Sequence, residues 1–161
     1  MAALRVLSIA VASGRAGYVF MQGTQLLDWG ITVKGVKTGN DLVGFVQKLV
    51  NDLKPDVVVT EKCDDRCRKG GHSRELIASI AELASHNEVL DVSVPRPRNF
   101  TSKYEEATHL VKRYPDVAGY LPECKRRIFE FEPRGMIIFE AVALAEAVIL
   151  GPPDALAAAM G

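Results

Sequence analysis

The sequence predicts an α/β fold, a mixed five-stranded sheet in the order 3-2-1-4-5 with strand 2 antiparallel and helices flanking the sheet. Three observations carry this. Residues 4–20, LRVLSIAVASGRAGYVF, read as an apolar strand, a glycine-bearing turn and a second strand folding back beside the first. Residues 56–61 and 89–94, DVVVTE and VLDVSV, are short β-branched runs, each placed after a stretch of helical periodicity. Residues 136–150 form a helix that is apolar nearly all round and therefore buried.

Taken in order, residues 4–12 are mostly apolar or small, so the first strand is covered on both faces and lies centrally. Gly14 and Gly17 bracket Arg15 and Ala16 in the expected turn, a two-residue hairpin or a slightly longer loop. Residues 25–33, QLLDWGITV, extend the hairpin to a three-stranded meander. Thr38 or Asn40 caps a helix over 41–53, where Leu42, Val46, Leu49, Val50 and Leu53 share one face, and Lys54-Pro55 ends it. Residues 56–61 then add a strand parallel to the first. The charged, glycine-bearing stretch 62–71 leads into a helix over 73–86, with Leu76, Ile77, Ile80 and Leu83 inward. The fifth strand, 89–94, stops at Pro95 and Pro97. Ser102 and Glu105 stand in capping-box spacing before a helix that ends ahead of Pro115. Prolines and glycines break up 114–135. Gly151, Pro152 and Pro153 close the last helix, which makes 1–150 one domain and 151–161 a Pro/Ala-rich tail.

Composition narrows the function classes. Lys plus Arg and Asp plus Glu both number 20, so the formal net charge is zero and only a local basic patch would bind nucleic acid. The three cysteines suit a reducing compartment rather than a disulfide framework. With no secretory leader pattern and no apolar run long enough to span a bilayer, a soluble, cytoplasmic chain without membrane association is expected.

Strand order and local motifs together resemble the RuvC-type Holliday-junction resolvases of the ribonuclease-H-like nucleases. Gly17-Tyr18 matches the Gly-Tyr pair that opens that family's second strand. KPDVVVTEK, 54–62, is similar to its fourth strand, which ends in a metal-binding glutamate, here Glu61. FEAVALAEAV, 139–148, is similar to its final helix, which opens with two acids three apart; Glu140 takes the first place. The resemblance implies two divalent ions, Mg²⁺ or Mn²⁺, about 3.5–4 Å apart at the scissile phosphate. It also implies four acids to hold them, since such cations need several oxygen ligands. Two of the four are missing: Ala10 stands at the first-strand position and Ala143 at the second helical one. Asp64 and Asp65, following Glu61, are the candidate replacements. Glu146 lies roughly 240° further around the helix from Glu140 and points elsewhere.

Each candidate has an ordinary structural alternative. Glu61 is a surviving metal ligand or an acid at a strand end, in the position where α/β sheets bind ligands. Glu140, alone in an apolar helix, needs a metal, a proton, a cation such as Arg134, or the helix N-terminus. Cys63, Cys67, His72 and Cys124 do not match the common zinc spacings, so free thiols are expected. Lys62, Arg66, Arg68, Lys69 and Arg74 form a basic segment whose Gly70-Gly71 leads into a helix N-terminus suited to phosphate. Arg96, Arg98, Lys103, Lys112 and Arg113 form a second basic group, and Lys125, Arg126, Arg127 and Arg134 a third. Charge runs are also commonly solvated surface. Phe100, Tyr104, Tyr114 and Tyr120 are expected to pack helix edges rather than stack on bases.

Three functions follow from the resemblance: a nucleic-acid-binding domain, for DNA or RNA, with nuclease chemistry lost or much reduced; an active Mg²⁺-dependent structure-specific endonuclease using Glu61, Glu140 and Asp64 or Asp65; or a protein-interaction module that keeps only the fold. If the site has decayed, no metal cofactor is implied. Resolvases of this family are dimers, so a homodimer is implied as well.

Overall fold

β1 (Arg5–Ala12) is the central strand. On one side it pairs antiparallel with β2 (Arg15–Gln22), which pairs antiparallel with β3 (Gln25–Thr32). On the other it pairs in parallel with β4 (Val57–Glu61), which pairs in parallel with β5 (Leu90–Val94). The sheet order is β3-β2-β1-β4-β5, as predicted. The helices are α1 (Gly39–Leu53), α2 (Gly71–His86), α3 (Lys103–Arg113) and α4 (Met136–Ile149), with a 3-10 helix at Pro115–Tyr120. This computed structural model describes residues 3–33, 36–64, 67, 69–97, 99–122 and 135–151. Asp65, Arg66, Arg68, Arg98, Cys124, the basic group 125–134 and the tail from 152 lie outside the described residues.

The period-two alternation of a strand sorts side chains between two cores. Leu7, Ile9 and Val11 of β1 meet Leu42 and Val46 of α1 and Leu76 and Ile80 of α2. Val6 and Ala10 face the other way, with Val57 and Val59 of β4, onto α4 and α3. Ser8 shares that second face, and its hydroxyl donates to the Ala141 carbonyl at 2.7 Å, tying β1 to α4. α4 is buried continuously from Met136 to Ala145, so its nearly uniform apolar composition reflects a helix enclosed on most sides.

Several local expectations shift. The first turn is Ser13-Gly14, because Ala12 already pairs with Arg15, and Gly14 sits at φ +78°, where a side chain would be strained. Gly17 is therefore a strand residue, opposite Ala10, and its lack of a side chain serves packing. A Cβ there would meet Ile137 Cγ2 at 2.8 Å. Gly17→Ala is expected to cost about 1–3 kcal/mol in urea unfolding, with part recovered when Ile137 is shortened to Val. Thr38 caps α1 by accepting from the Asp41 amide, and Lys54 ends it at φ 51°. Ser102 caps α3 through the Glu105 amide, but the Glu105 carboxylate reaches past the cap to the Thr101 amide and hydroxyl.

Candidate nucleic-acid-binding cleft

A cleft of about 440 Å³ opens where β4 and β5 end, between the loops that follow them and the α3 and α4 helices. Carboxyl ends of parallel strands are the usual ligand positions of α/β sheets. Glu61, Lys69, Arg96, Lys103, Glu106 and Glu140 supply the charged groups of its lining.

Register explains how Glu61 arrives there. It follows Val57 and Val59 in alternation, on the α4 face of the sheet, and is buried. Its Oε2 accepts from the Cys67 thiol at 3.1 Å. Burial first, and then that carboxylate, push the thiol pKa up to about 11. Cys67 is thus a hydrogen-bond donor and a poor nucleophile or metal ligand at neutral pH. Cys63 Sγ lies 3.7 Å from the Glu61 carbonyl, and the His72 ring meets the Val36 carbonyl at 3.1 Å.

Glu140, four residues into α4, is nine-tenths buried and paired with a cation. Its partner is Lys69 of the β4–α2 loop, with Nζ 2.6 Å from Oε1. Arg96, from the segment after β5, places Nε 4.0 Å from the same oxygen and donates through Nη2 to Glu106 Oε1 at 2.6 Å. The side chains of Arg96 and Glu106 are only 12% and 7% exposed, so this pair is largely removed from water and its Coulomb attraction is strong. Burial raises the Glu106 carboxyl pKa, while the neighbouring guanidinium opposes the rise. Arg96 Nη1 is buried and has no hydrogen-bond partner among the described residues.

Glu106 was not singled out by sequence reasoning. The available signal was phase: Glu106 is four residues before Leu110 and adjacent to Ala107, so it lies on the buried stripe of α3. Arg74 lines the β4–α2 loop from beneath, donating to the carbonyls of Lys69, Asp64 and Cys67 at 3.1, 3.2 and 2.9 Å. These bonds shape the loop that presents Lys69. Lys103 borders the cleft at the start of α3. Glu146 does turn elsewhere, to Arg113 at 3.0 Å and the Tyr114 hydroxyl at 2.7 Å, and burial together with that carboxylate raises the Tyr114 pKa. Tyr104 and Tyr120 pack against the core, while Phe100 lines the cleft and meets the His109 ring at 5.1 Å.

The described residues of the cleft do not fit a pair of divalent ions. Ala10 is buried among apolar side chains and Ala143 lies in the same core. Glu140 and Glu106 already carry cationic partners, and Glu61 carries a thiol. Among the described residues no three His, Cys, Asp or Glu side chains gather closely enough to hold a metal.

Sheet order, strand directions and the placement of α4 across the central strands define a ribonuclease-H-like fold. Within that class the fold is similar to those of solved Holliday-junction resolvases. Thermus thermophilus RuvC in complex with a Holliday-junction substrate is similar over 92% of this chain and 96% of its own, with a TM-score of 0.53 and 14% identity. A second T. thermophilus RuvC structure gives the same score and identity over 97% of its chain. The Fowlpox virus resolvase in complex with Holliday-junction DNA is similar over 91% of this chain and 97% of its own, with a TM-score of 0.61 and 11% identity. At such identities the likeness is one of fold. No protein-family model and no curated protein matches the chain. Among the described residues no helix is long and apolar enough to cross a membrane.

Proposed function

We propose that residues 1–150 form a RuvC-like nucleic-acid-binding domain whose nuclease chemistry is lost or much reduced. The observation that carries this reading is the Lys69–Glu140 contact at 2.6 Å: an acid that the resemblance would give to a metal is neutralised from within the chain. Ala10, in the apolar core, supports it further, because the resemblance implies a carboxylate at that position. The two junction complexes among the similar structures favour branched DNA as the first ligand to test. A cytoplasmic setting goes with this reading, since three cysteines suit a reducing compartment better than a disulfide framework.

The test uses a fluorescently labelled four-way DNA junction and its RNA counterpart. Binding is expected at low salt and should weaken steeply as salt rises, since phosphate contacts release counterions. No cleavage is expected in Mg²⁺ or Mn²⁺. Magnesium-dependent cleavage that Glu61→Gln abolishes would establish the active endonuclease instead. Absence of binding to either probe at low salt would favour the interaction module. Light scattering on the same samples checks the homodimer implied by the resemblance.

A further inference from the structure

We propose that Lys69 and Arg96 are tethered replacements for divalent cations, which keep Glu140 and Glu106 neutralised and make the cleft a metal-independent site. This rests on the functional reading above for the identity of the cleft, and goes beyond it in assigning the charge that a metal would otherwise supply.

The geometry points this way on three counts. One oxygen, Glu140 Oε1, faces both cations, with Lys69 Nζ at 2.6 Å and Arg96 Nε at 4.0 Å. Arg96 then links that carboxylate to Glu106 through a second short contact, 2.6 Å. Two cations thus serve two buried carboxylates, as two bound ions would. Space is the second count. Beside these contacts the gap lined by Arg96, Lys103, Glu106, Phe139 and Glu140 is about 10 Å³, room for about one water, so the guanidinium and the two carboxylates meet with little solvent between them. Third, Lys69 is held from behind: the Arg74 guanidinium fastens the loop through three carbonyls, including that of Lys69 itself. The ammonium is therefore carried by a residue whose own backbone carbonyl is bonded.

This arrangement also sets how a phosphate would be met. An ammonium has three donors, and Glu140 Oε1 takes one of them. Lys69 and Arg96 border the open cleft, with Lys103 at the start of α3 beside them. A phosphodiester entering there would meet fixed cations, while Glu140 competes with it for Lys69.

That competition gives a signed test. Glu140→Gln keeps the side-chain shape and releases Lys69 from its carboxylate. Binding of the labelled four-way junction in EDTA should become about tenfold tighter, the scale of one charge-assisted contact. The wild type should bind equally in EDTA and in MgCl₂, and its melting temperature should be the same in EDTA and in MnCl₂. A requirement for Mg²⁺, a rise in melting temperature with MnCl₂, or a Glu140→Gln variant that binds no more tightly than the wild type would overturn the proposal. Glu106→Gln, which likewise releases Arg96, repeats the binding test if Glu140→Gln fails to fold. The MnCl₂ measurement involves no nucleic acid. A wild type that ignores both junctions therefore sinks the functional reading, while the metal response still decides this one.

Discussion

Arg96→Met is expected to destabilise the folded protein by about 3 kcal/mol in urea unfolding at neutral pH, because removing one member of a buried ion pair strands the other charge. The stranded groups are Glu106, bonded at 2.6 Å, and to a lesser degree Glu140 at 4.0 Å, which retains Lys69. The defect should depend on pH. Glu106 already has its pKa raised above 4.5 by burial, with Arg96 pulling it back down. A carboxyl with a raised folded-state pKa contributes stability below its unfolded value, and that stability is lost as pH rises through the folded value. Without Arg96 the folded value rises further. The deficit of Arg96→Met should therefore be largest at neutral pH and shrink on acidification, as Glu106 takes up a proton. A deficit that stays constant across that range would mean that the guanidinium acts through packing and not through charge.

Ala10→Asp is expected to destabilise by about 3 kcal/mol or more, and to confer no binding of Mn²⁺. The added carboxylate would lie in the core shared by β1 and α4, where Ala10 is 2% exposed and opposite Gly17. An unpaired buried charge costs several kcal/mol even after relaxation. The acids that would have to join it already hold partners: Lys69 on Glu140 and the Cys67 thiol on Glu61. Urea unfolding gives the first quantity, and melting in MnCl₂ against EDTA gives the second. A variant that is stable and raised in melting temperature by Mn²⁺ would show that Ala10 alone separates this cleft from a metal centre.

The fold was legible because its signals are local. Val57, Val58 and Val59 form a β-branched run long enough for one buried strand, and α4 is too uniformly apolar for any surface position. Errors fell where two local solutions compete. Gly14 and Gly17 both suit a turn, and the choice was made by the pairing of Ala12 with Arg15 and by the approach of Ile137 to Gly17. The start of α2 moved to Gly71, because Gly70 adopts the extended cap conformation without any side-chain cap. Glu106 went unnoticed because in sequence it looks like one more first-turn acid of α3, beside Glu105.

By itself the sequence determined the succession of strands and helices and the absence of acids at positions 10 and 143, since each depends on residue type and on periods of two or 3.6 residues, while the sheet order came from the fold plan which that succession resembles. It also determined that Glu140 needs a counter-charge, because a lone carboxylate in an apolar helix is costly. Only the tertiary structure decided which cation supplies it. Lys69 is 71 residues away along the chain and reaches Glu140 because the parallel β1–β4 pairing brings the loop after β4 over the start of α4. A desolvated ion pair is selected by distance in space, and sequence neighbours such as Arg134 have no priority in that selection.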